Sequence, residues 1–147
     1  MKGFLLGVVP IIVAGVLEAR AAGARQNRPE PIEVLEHAFR QGSAEGLRRL
    51  IGRDEKIYMT SPSLGFEDGY YSADQVCLQF QEAFHYRVTV RFDFLKGEDS
   101  PPEVSRLIAV ARWSYRKGKS REQTSKIAFT LTRRDGGWFL KEVRDIP

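Results

Sequence analysis

Residues 70–84 read Tyr-Tyr-Ser-Ala-Asp-Gln-Val-Cys-Leu-Gln-Phe-Gln-Glu-Ala-Phe, and the rest of the chain is organised around them. Ser72 is a favourable helix N-cap, because its hydroxyl can accept a hydrogen bond from the free backbone N–H groups of the first turn. Apolar residues then recur at helical spacing: Val76, Cys77, Phe80, Ala83 and Phe84. We interpret the whole stretch as one aromatic-rich amphipathic helix, and its apolar stripe requires a partner surface.

The sequence after this helix supplies that surface. Val88, Val90, Phe92 and Phe94 alternate with polar residues, which predicts a strand over residues 88–95 with one buried face. Similar patterns predict strands over residues 107–115, 123–132 and 138–146. The Asp-Gly pair at 135–136 is a strong hairpin signal between the last two. The carboxyl-terminal part is therefore predicted to be an antiparallel sheet.

Two further helices are predicted at the start of the domain. Ile32, Leu35, Ala38 and Phe39 recur at helical spacing and are followed by Gly42, a typical helix stop. A short helix follows over residues 43–51, and residues 56–60 have the composition of a short strand. The predicted class is α+β, with one curved antiparallel sheet packed on three amino-terminal helices.

Residues 1–24 have the layout of a secretory signal peptide. A lysine precedes an apolar run over residues 4–17, and small residues follow, so we expect cleavage near Ala21 or Ala24. The apolar run is shorter than the roughly 20 residues of a membrane span. We expect residues 25–31 to form an extended tether and residues 32–147 to form a single domain. The protein is predicted to be exported, to the periplasm or beyond, with no stable membrane anchor after cleavage.

Charge and composition exclude several functions. The net charge is +4, and the basic residues are dispersed among acidic ones rather than gathered on one segment, which argues against nucleic-acid binding. The chain has two histidines and one cysteine, far apart in sequence, so we predict no metal site and no cofactor. Cys77 lies among apolar helix positions and is interpreted as a small buried hydrophobe.

Four segments carry a resemblance to known proteins: residues 42–47, residues 69–75, Phe84 and residues 137–140. In these segments, and in its order of elements, the chain resembles the nuclear transport factor 2-like cone fold. More narrowly, it is similar to the secreted bacterial family of unknown function DUF4783. The resemblance implies a cone that encloses a pocket between the long helix and the concave sheet face. It implies no particular reaction.

Strand alternation and, for Phe80, the apolar stripe of the organising helix nominate the residues that would line such a pocket. On this basis the lining would comprise Tyr58, Phe80, Phe92, Phe94, Trp113, Tyr115, Phe129 and Trp138. These side chains either enclose a ligand site or simply fill the core. Tyr58 and Tyr115 have polar tips that could orient a ligand at the mouth of the cone.

Glu142 and His85 are the candidates for a catalytic base. Glu142 is separated from Trp138 and Leu140 by an even number of residues, so simple strand alternation would point it inward with them. The apolar residues Val143 and Ile146 instead indicate a bulge that turns Glu142 out. The favoured function is a non-enzymatic module that binds a small apolar ligand or a protein partner, including a homodimer through the exposed sheet face. The alternative is a small isomerase or dehydratase with Glu142 or His85 as general base.

Overall fold

The computed structural model describes residues 28–96 and 105–147, without the side chain of Lys96. The predicted signal peptide and residues 25–27 of the predicted tether lie outside these residues. The helices are α1 (Glu30–Gln41), α2 (Ala73–Tyr86) and the short 3₁₀ helices η1 (Glu45–Leu50) and η2 (Pro62–Leu64). The strands are β1 (Lys56–Thr60), β2 (Gly69–Ser72), β3 (Val88–Lys96), β4 (Arg106–Arg116), β5 (Gln123–Arg134) and β6 (Gly137–Ile146).

The strands form one six-stranded sheet in the order β2-β1-β6-β5-β4-β3. Neighbouring strands are antiparallel except β1 and β6, which run parallel. The helices cover one face of the sheet, here called the inner face, and the opposite face is called the outer face. The predicted α+β class, with a curved sheet packed on helices, is confirmed.

Residues 70–84 are not helical throughout, because the two tyrosines that precede the predicted cap belong to a strand. Tyr70 and Tyr71 belong to β2, whose backbone pairs with β1, and the helix begins at Ala73. Ser72 is the N-cap as predicted, and it forms a reciprocal capping box with Gln75. Because this box fixes where helical hydrogen bonding starts, the preceding tyrosines are free to extend the sheet.

The first helix also begins earlier than predicted, at Glu30, so the extended tether cannot include Glu30 and Pro31. Proline is tolerated here because the first turn of a helix needs no N–H donor at that position. On its other side, α1 is anchored to the edge strand β3. Arg40 donates to the carbonyl oxygen of Phe92 at 3.1 and 3.3 Å and forms ion pairs with Glu36 and Asp93. A charged group placed over a sheet edge discourages pairing with another strand.

The strict alternation predicted for β3 is interrupted by a bulge. Thr89 lies opposite Tyr115 and Arg91 lies opposite Ser114, so Val90 is an extra residue in the strand. Val88 and Val90 are therefore exposed rather than buried. Thr89 takes the inner position instead, where its hydroxyl accepts a hydrogen bond of 2.9 Å from Trp113 Nε1.

Phe39 is the centre of the core on the inner face. Its ring is completely buried and reaches from α1 into the sheet and α2. Its ring neighbours, with centroid separations of 4.4 to 6.1 Å, are Phe80, Phe84, Phe92, Trp113 and Phe129. The first helix therefore inserts an aromatic side chain where the sheet and the long helix converge.

Candidate functional site

Most of the predicted pocket residues lie on the inner face, where they are part of this core. Phe80, Phe92, Trp113 and Phe129 are fully buried, and each contacts Phe39. Phe94 and Trp138 are partly buried and pack against the same cluster. Their inward orientation is confirmed, whereas a role in ligand binding stays a prediction.

Tyr115 is also on the inner face, and its hydroxyl already has a partner. The side chain is buried, and its ring centroid lies 4.2 Å from that of Trp113. The hydroxyl donates to Gln123 Oε1 at 3.1 Å. A buried tyrosine satisfied in this way stabilises the core and does not need a ligand.

Tyr58 and Glu142 were both considered for the interior, and the structure places them on the outer face. Leu140 of β6 pairs with Leu131 of β5, and Glu142 pairs with Thr130, the very next residue of β5. Lys141 is therefore an extra residue, a bulge, in β6. The bulge therefore turns Glu142 outward. Tyr58 lies between the buried Ile57 and Met59 and so points the opposite way. The inward position predicted for Tyr58 is wrong, whereas the outward turn that Val143 and Ile146 indicated for Glu142 is present. The parallel pairing of β1 and β6 makes the two residues neighbours.

His85 lies elsewhere on the surface. It is exposed in the last turn of α2, with its ring 4.9 Å from that of Tyr86. It lines a shallow depression together with Leu78, Gln81, Glu82 and Tyr86. Since Glu142 lines a different depression, the two candidate bases do not meet at one site in the described part of the chain.

The depression around Tyr58 and Glu142 is the candidate binding site, and we call it the outer groove. It is an open groove of about 590 Å³ on the outer face, and it is lined by Lys56, Tyr58, Tyr70, Arg106, Thr130, Thr132, Lys141 and Glu142. Cross-strand pairing brings the rings of Tyr58 and Tyr70 to a centroid separation of 5.0 Å. Aromatic rings, hydroxyls and charged groups thus line one surface.

The charges at the outer groove are unevenly paired. Lys141 Nζ lies 2.6 Å from Glu55, whose carboxylate also forms an ion pair with Arg134. Arg144 donates two hydrogen bonds to Glu142, of 2.6 and 3.0 Å, and both are accepted by the same carboxylate oxygen, Oε1. Within residues 28–96 and 105–147, Lys56 and Arg106 have no ion-pair partner. Among the described residues, the lining of the groove consequently has a surplus of positive charge.

Sequence reasoning missed Lys56, Tyr70, Arg106, Thr130, Thr132 and Lys141 as site residues. Tyr70 could have been found by recognising the two strand-like tyrosines that precede the Ser72 cap as a partner for β1. The others carry no local signal, because their proximity depends on the pairing of strands that are distant in sequence.

A second polar cluster joins the loop after β1 to the end of β6. Asp145 accepts hydrogen bonds from Ser61 Oγ at 2.7 Å, Ser63 Oγ at 2.8 Å and the Ser63 backbone N–H at 2.8 Å. Both serines are buried. The carboxylate therefore holds η2 against the last strand, and the buried hydroxyls are not exposed to a substrate.

Cys77 is buried in α2, and burial raises the pKa of its thiol above the ordinary value. The proton is thus held more tightly in the folded state, so folded-state stability is expected to fall as the pH is raised past the ordinary thiol pKa.

We expect an alkylating reagent at pH 8 to modify Cys77 at least tenfold more slowly in the native protein than in urea, because the thiolate is the reactive form. Mass spectrometry of timed samples measures this, and equal rates would contradict the buried position.

Residues 28–96 and 105–147 contain no group of three or more histidine, cysteine, aspartate or glutamate side chains placed to hold a metal ion. In the same ranges, no helix has both the length and the apolar character needed to cross a membrane.

Comparisons with known proteins identify the fold. The sequence matches no family model and no curated protein. A DUF4783 family protein from Bacteroides ovatus is similar in structure, with a TM-score of 0.61 and 14% identity over 82% of this chain and 94% of that one. For a DUF4783 family protein from Bacteroides uniformis, the TM-score is 0.62 and the identity 10%, over 77% of this chain and 93% of that one.

A third structure extends the likeness beyond DUF4783. It is a hypothetical protein of ketosteroid isomerase-like fold from Catenulispora acidiphila, in complex with trimethylamine. Its TM-score is 0.60 and its identity 11%, over 82% of this chain and 86% of that one. At such identities the likeness establishes the fold alone, and many functions share one fold. The protein thus has the nuclear transport factor 2-like α+β fold, and DUF4783 structures are among those that it resembles.

Proposed function

We propose that this protein is an exported, non-catalytic binding module and that the outer groove is its binding surface. The observation that carries the proposal is the composition of the groove. It combines two tyrosine rings with cations that have no ion-pair partner among the described residues. Tyrosine provides a large amphipathic contact area at a low cost in conformational entropy, which favours it at binding surfaces. Export rests on the signal-peptide pattern of residues 1–24.

The inner face supports a binding site less well. The small apolar ligand expected from sequence would have to lie among rings that pack on Phe39, where Phe80, Phe92, Trp113 and Phe129 are fully buried. Densely packed interiors accommodate an extra group only with strain. A ligand of this kind would therefore have to displace core side chains.

The enzyme alternative loses its main support on the same geometry. A general base of the isomerase or dehydratase type works in an enclosed site that excludes water. Glu142 lies instead in an open groove, beside the guanidinium of Arg144. Tyr115, whose polar tip was expected to orient a ligand, is buried on the other face of the sheet.

A homodimer through the exposed sheet face is the competing use of the same surface. Ile108 is exposed on the outer face, opposite Thr130 of the groove, and would add apolar area to such an interface. A second copy seated there would cover the groove. Sedimentation at the concentrations used for binding separates the two uses: a monomer leaves the groove open, whereas a dimer that dissociates on Ile108→Arg would contradict the proposal.

The test of the proposed function compares two exposed tyrosines. Tyr70 lies in the outer groove and Tyr86 lies at the end of α2, and their exposed fractions are 70% and 59%. A panel of neutral, acidic and basic oligosaccharides and peptides, with small apolar molecules, would be screened against the exported form of the protein. We expect Tyr70→Ala to weaken binding of the compounds found by at least tenfold, because it removes the exposed ring.

The control for this screen is Tyr86→Ala, which we expect to bind as the unmodified protein does. If no compound in the panel binds, or if both substitutions act alike, the outer groove is not the binding surface.

A further inference from the structure

We infer that the ligand of the outer groove is an acidic saccharide, a chain of sugar rings that carry carboxylate or sulfate groups. The inference rests on the proposed function and specifies the chemistry of its ligand. Three features of the groove support it: an exposed aromatic platform, two cations on opposite sides, and hydroxyl and carboxylate groups between them.

The platform consists of Tyr58 and Tyr70. Tyr58 is half-buried in β1, and its ring packs at 58° to that of Tyr70 on the neighbouring strand. Tyr70 is mostly exposed although it is held in a paired strand. A pyranose ring has an apolar C–H face of about the size of a tyrosine ring, so the two surfaces can stack without removing a polar group from water. Such rigid aromatic faces bind with little loss of entropy.

The cations lie at the two sides of the groove. Lys56 is on β1 and Arg106 is on β4, opposite Thr132. Three interstrand steps separate β1 from β4, which corresponds to roughly 14 Å at about 4.8 Å a step. This span suits an oligosaccharide better than a single sugar. A guanidinium can bind a carboxylate or a sulfate through two parallel hydrogen bonds, and an ammonium can bind either as a point charge.

Polar groups between the cations suit the hydroxyls of sugars. Thr130 and Thr132 contribute hydroxyls from β5 that can both donate and accept. Both Arg144 bonds go to Oε1 of Glu142, and Oε2 of this carboxylate has no hydrogen-bond partner within residues 28–96 and 105–147. Oε2 can therefore accept a bond from a sugar hydroxyl.

Glu142 also argues against the other polyanion that combines rings with charge. Single-stranded nucleic acids bind to aromatic platforms lined with basic residues. A carboxylate in the middle of such a groove repels a phosphodiester backbone, which offers it only acceptor oxygens. Each sugar of an acidic saccharide carries hydroxyls beside its acidic group, so one chain can place acidic groups at Lys56 and Arg106 and donate a hydroxyl to Glu142.

The test uses matched ligands and isothermal titration calorimetry with the exported form of the protein. The probes are an oligogalacturonate, the same oligomer with its carboxylates methyl-esterified, a sulfated oligosaccharide and an oligothymidylate. We expect the two acidic saccharides to bind at least tenfold more tightly than the ester and the oligothymidylate. The double variant Lys56→Ala/Arg106→Ala is expected to lose at least tenfold in affinity for the acidic forms, and Tyr70→Ala to lose a similar amount.

The matched control is Lys119→Ala/Arg121→Ala. It removes the same charge from exposed positions between β4 and β5, at the opposite end of that hairpin from Arg106 and Thr132. We expect it to reduce the affinity less than twofold. An equal loss in the two double variants would mean attraction by net charge alone and would overturn the inference, as would tightest binding of the oligothymidylate.

Failure of this inference and failure of the proposed function give different results. If no acidic saccharide binds but another compound binds in a manner that depends on Tyr70, the ligand class is wrong and the binding surface is right. If an acidic saccharide binds and Tyr70→Ala, Lys56→Ala and Arg106→Ala leave its affinity unchanged, both are wrong.

Discussion

Replacement of Phe39 by alanine is expected to lower the free energy of unfolding by about 3 to 5 kcal/mol, the range typical of a buried phenylalanine. The ring is fully buried, and the rings of Phe92 and Trp113 lie 4.4 and 5.2 Å from it. Its removal leaves a cavity bounded by side chains from the sheet and from α2, which cannot all move inward together. Urea denaturation followed by circular dichroism measures the change.

Two variants accompany this measurement. Phe39→Leu keeps most of the volume and is expected to lose less than half as much stability, so it reports on the core even if the alanine variant does not fold. Tyr86→Ala removes an exposed ring and is expected to change stability by less than about 0.5 kcal/mol. A loss below about 1 kcal/mol for Phe39→Ala would mean that the inner face is not packed on this residue.

Replacement of Asp145 by alanine is expected to lower the free energy of unfolding by about 3 kcal/mol. Its carboxylate accepts three hydrogen bonds of 2.7 to 2.8 Å from Ser61 and Ser63. The loss leaves a buried backbone N–H and buried hydroxyls without their acceptor, and unsatisfied buried groups cost about 1 to 3 kcal/mol each. Because Asp145 connects the loop after β1 to the end of β6, the effect should be concentrated in that loop.

Hydrogen exchange distinguishes a local loss of the hydrogen bonds to Asp145 from a general loss of stability. In Asp145→Ala, the amide proton of Ser63 is expected to exchange faster by at least tenfold, whereas amides in the middle of β4 and β5 should follow the global change. Asp145→Asn keeps one oxygen acceptor and should have a smaller effect. Unchanged exchange at Ser63 in the alanine variant would show that the carboxylate does not hold η2.

The elements that could be predicted from sequence are those with a local cause. The Ser72 cap fixed the start of regular hydrogen bonding in α2, since both partners of the capping box lie within one turn. The Asp135-Gly136 pair marked the last hairpin, and both residues have the positive φ that a two-residue hairpin turn of type I′ requires. In β4, alternation placed Trp113 and Tyr115 correctly on the inner face.

The features that could not be predicted depend on single inserted residues and on distant pairing. A bulge adds one residue, so it reverses which side chains face inward beyond it without changing the composition of the strand. This happened without any sequence signal at Val90, whereas the bulge at Lys141, which turns Glu142 outward, was indicated by Val143 and Ile146. The outer groove depends in addition on the parallel pairing of β1 with β6 and on the recognition of β2.

We propose that the binding surface lies on the outer face of the sheet and not among the rings of the inner face. The chain has two tryptophans, and the indole N–H of Trp113 is bonded to Thr89 inside the core. Nitrogen–proton correlation spectra of the exported form, recorded with and without the oligogalacturonate, test the claim directly. We predict shifts at the amides of Tyr58, Tyr70 and Glu142 and none at the Trp113 indole. A shift of the Trp113 indole, with the groove amides unchanged, would contradict the claim.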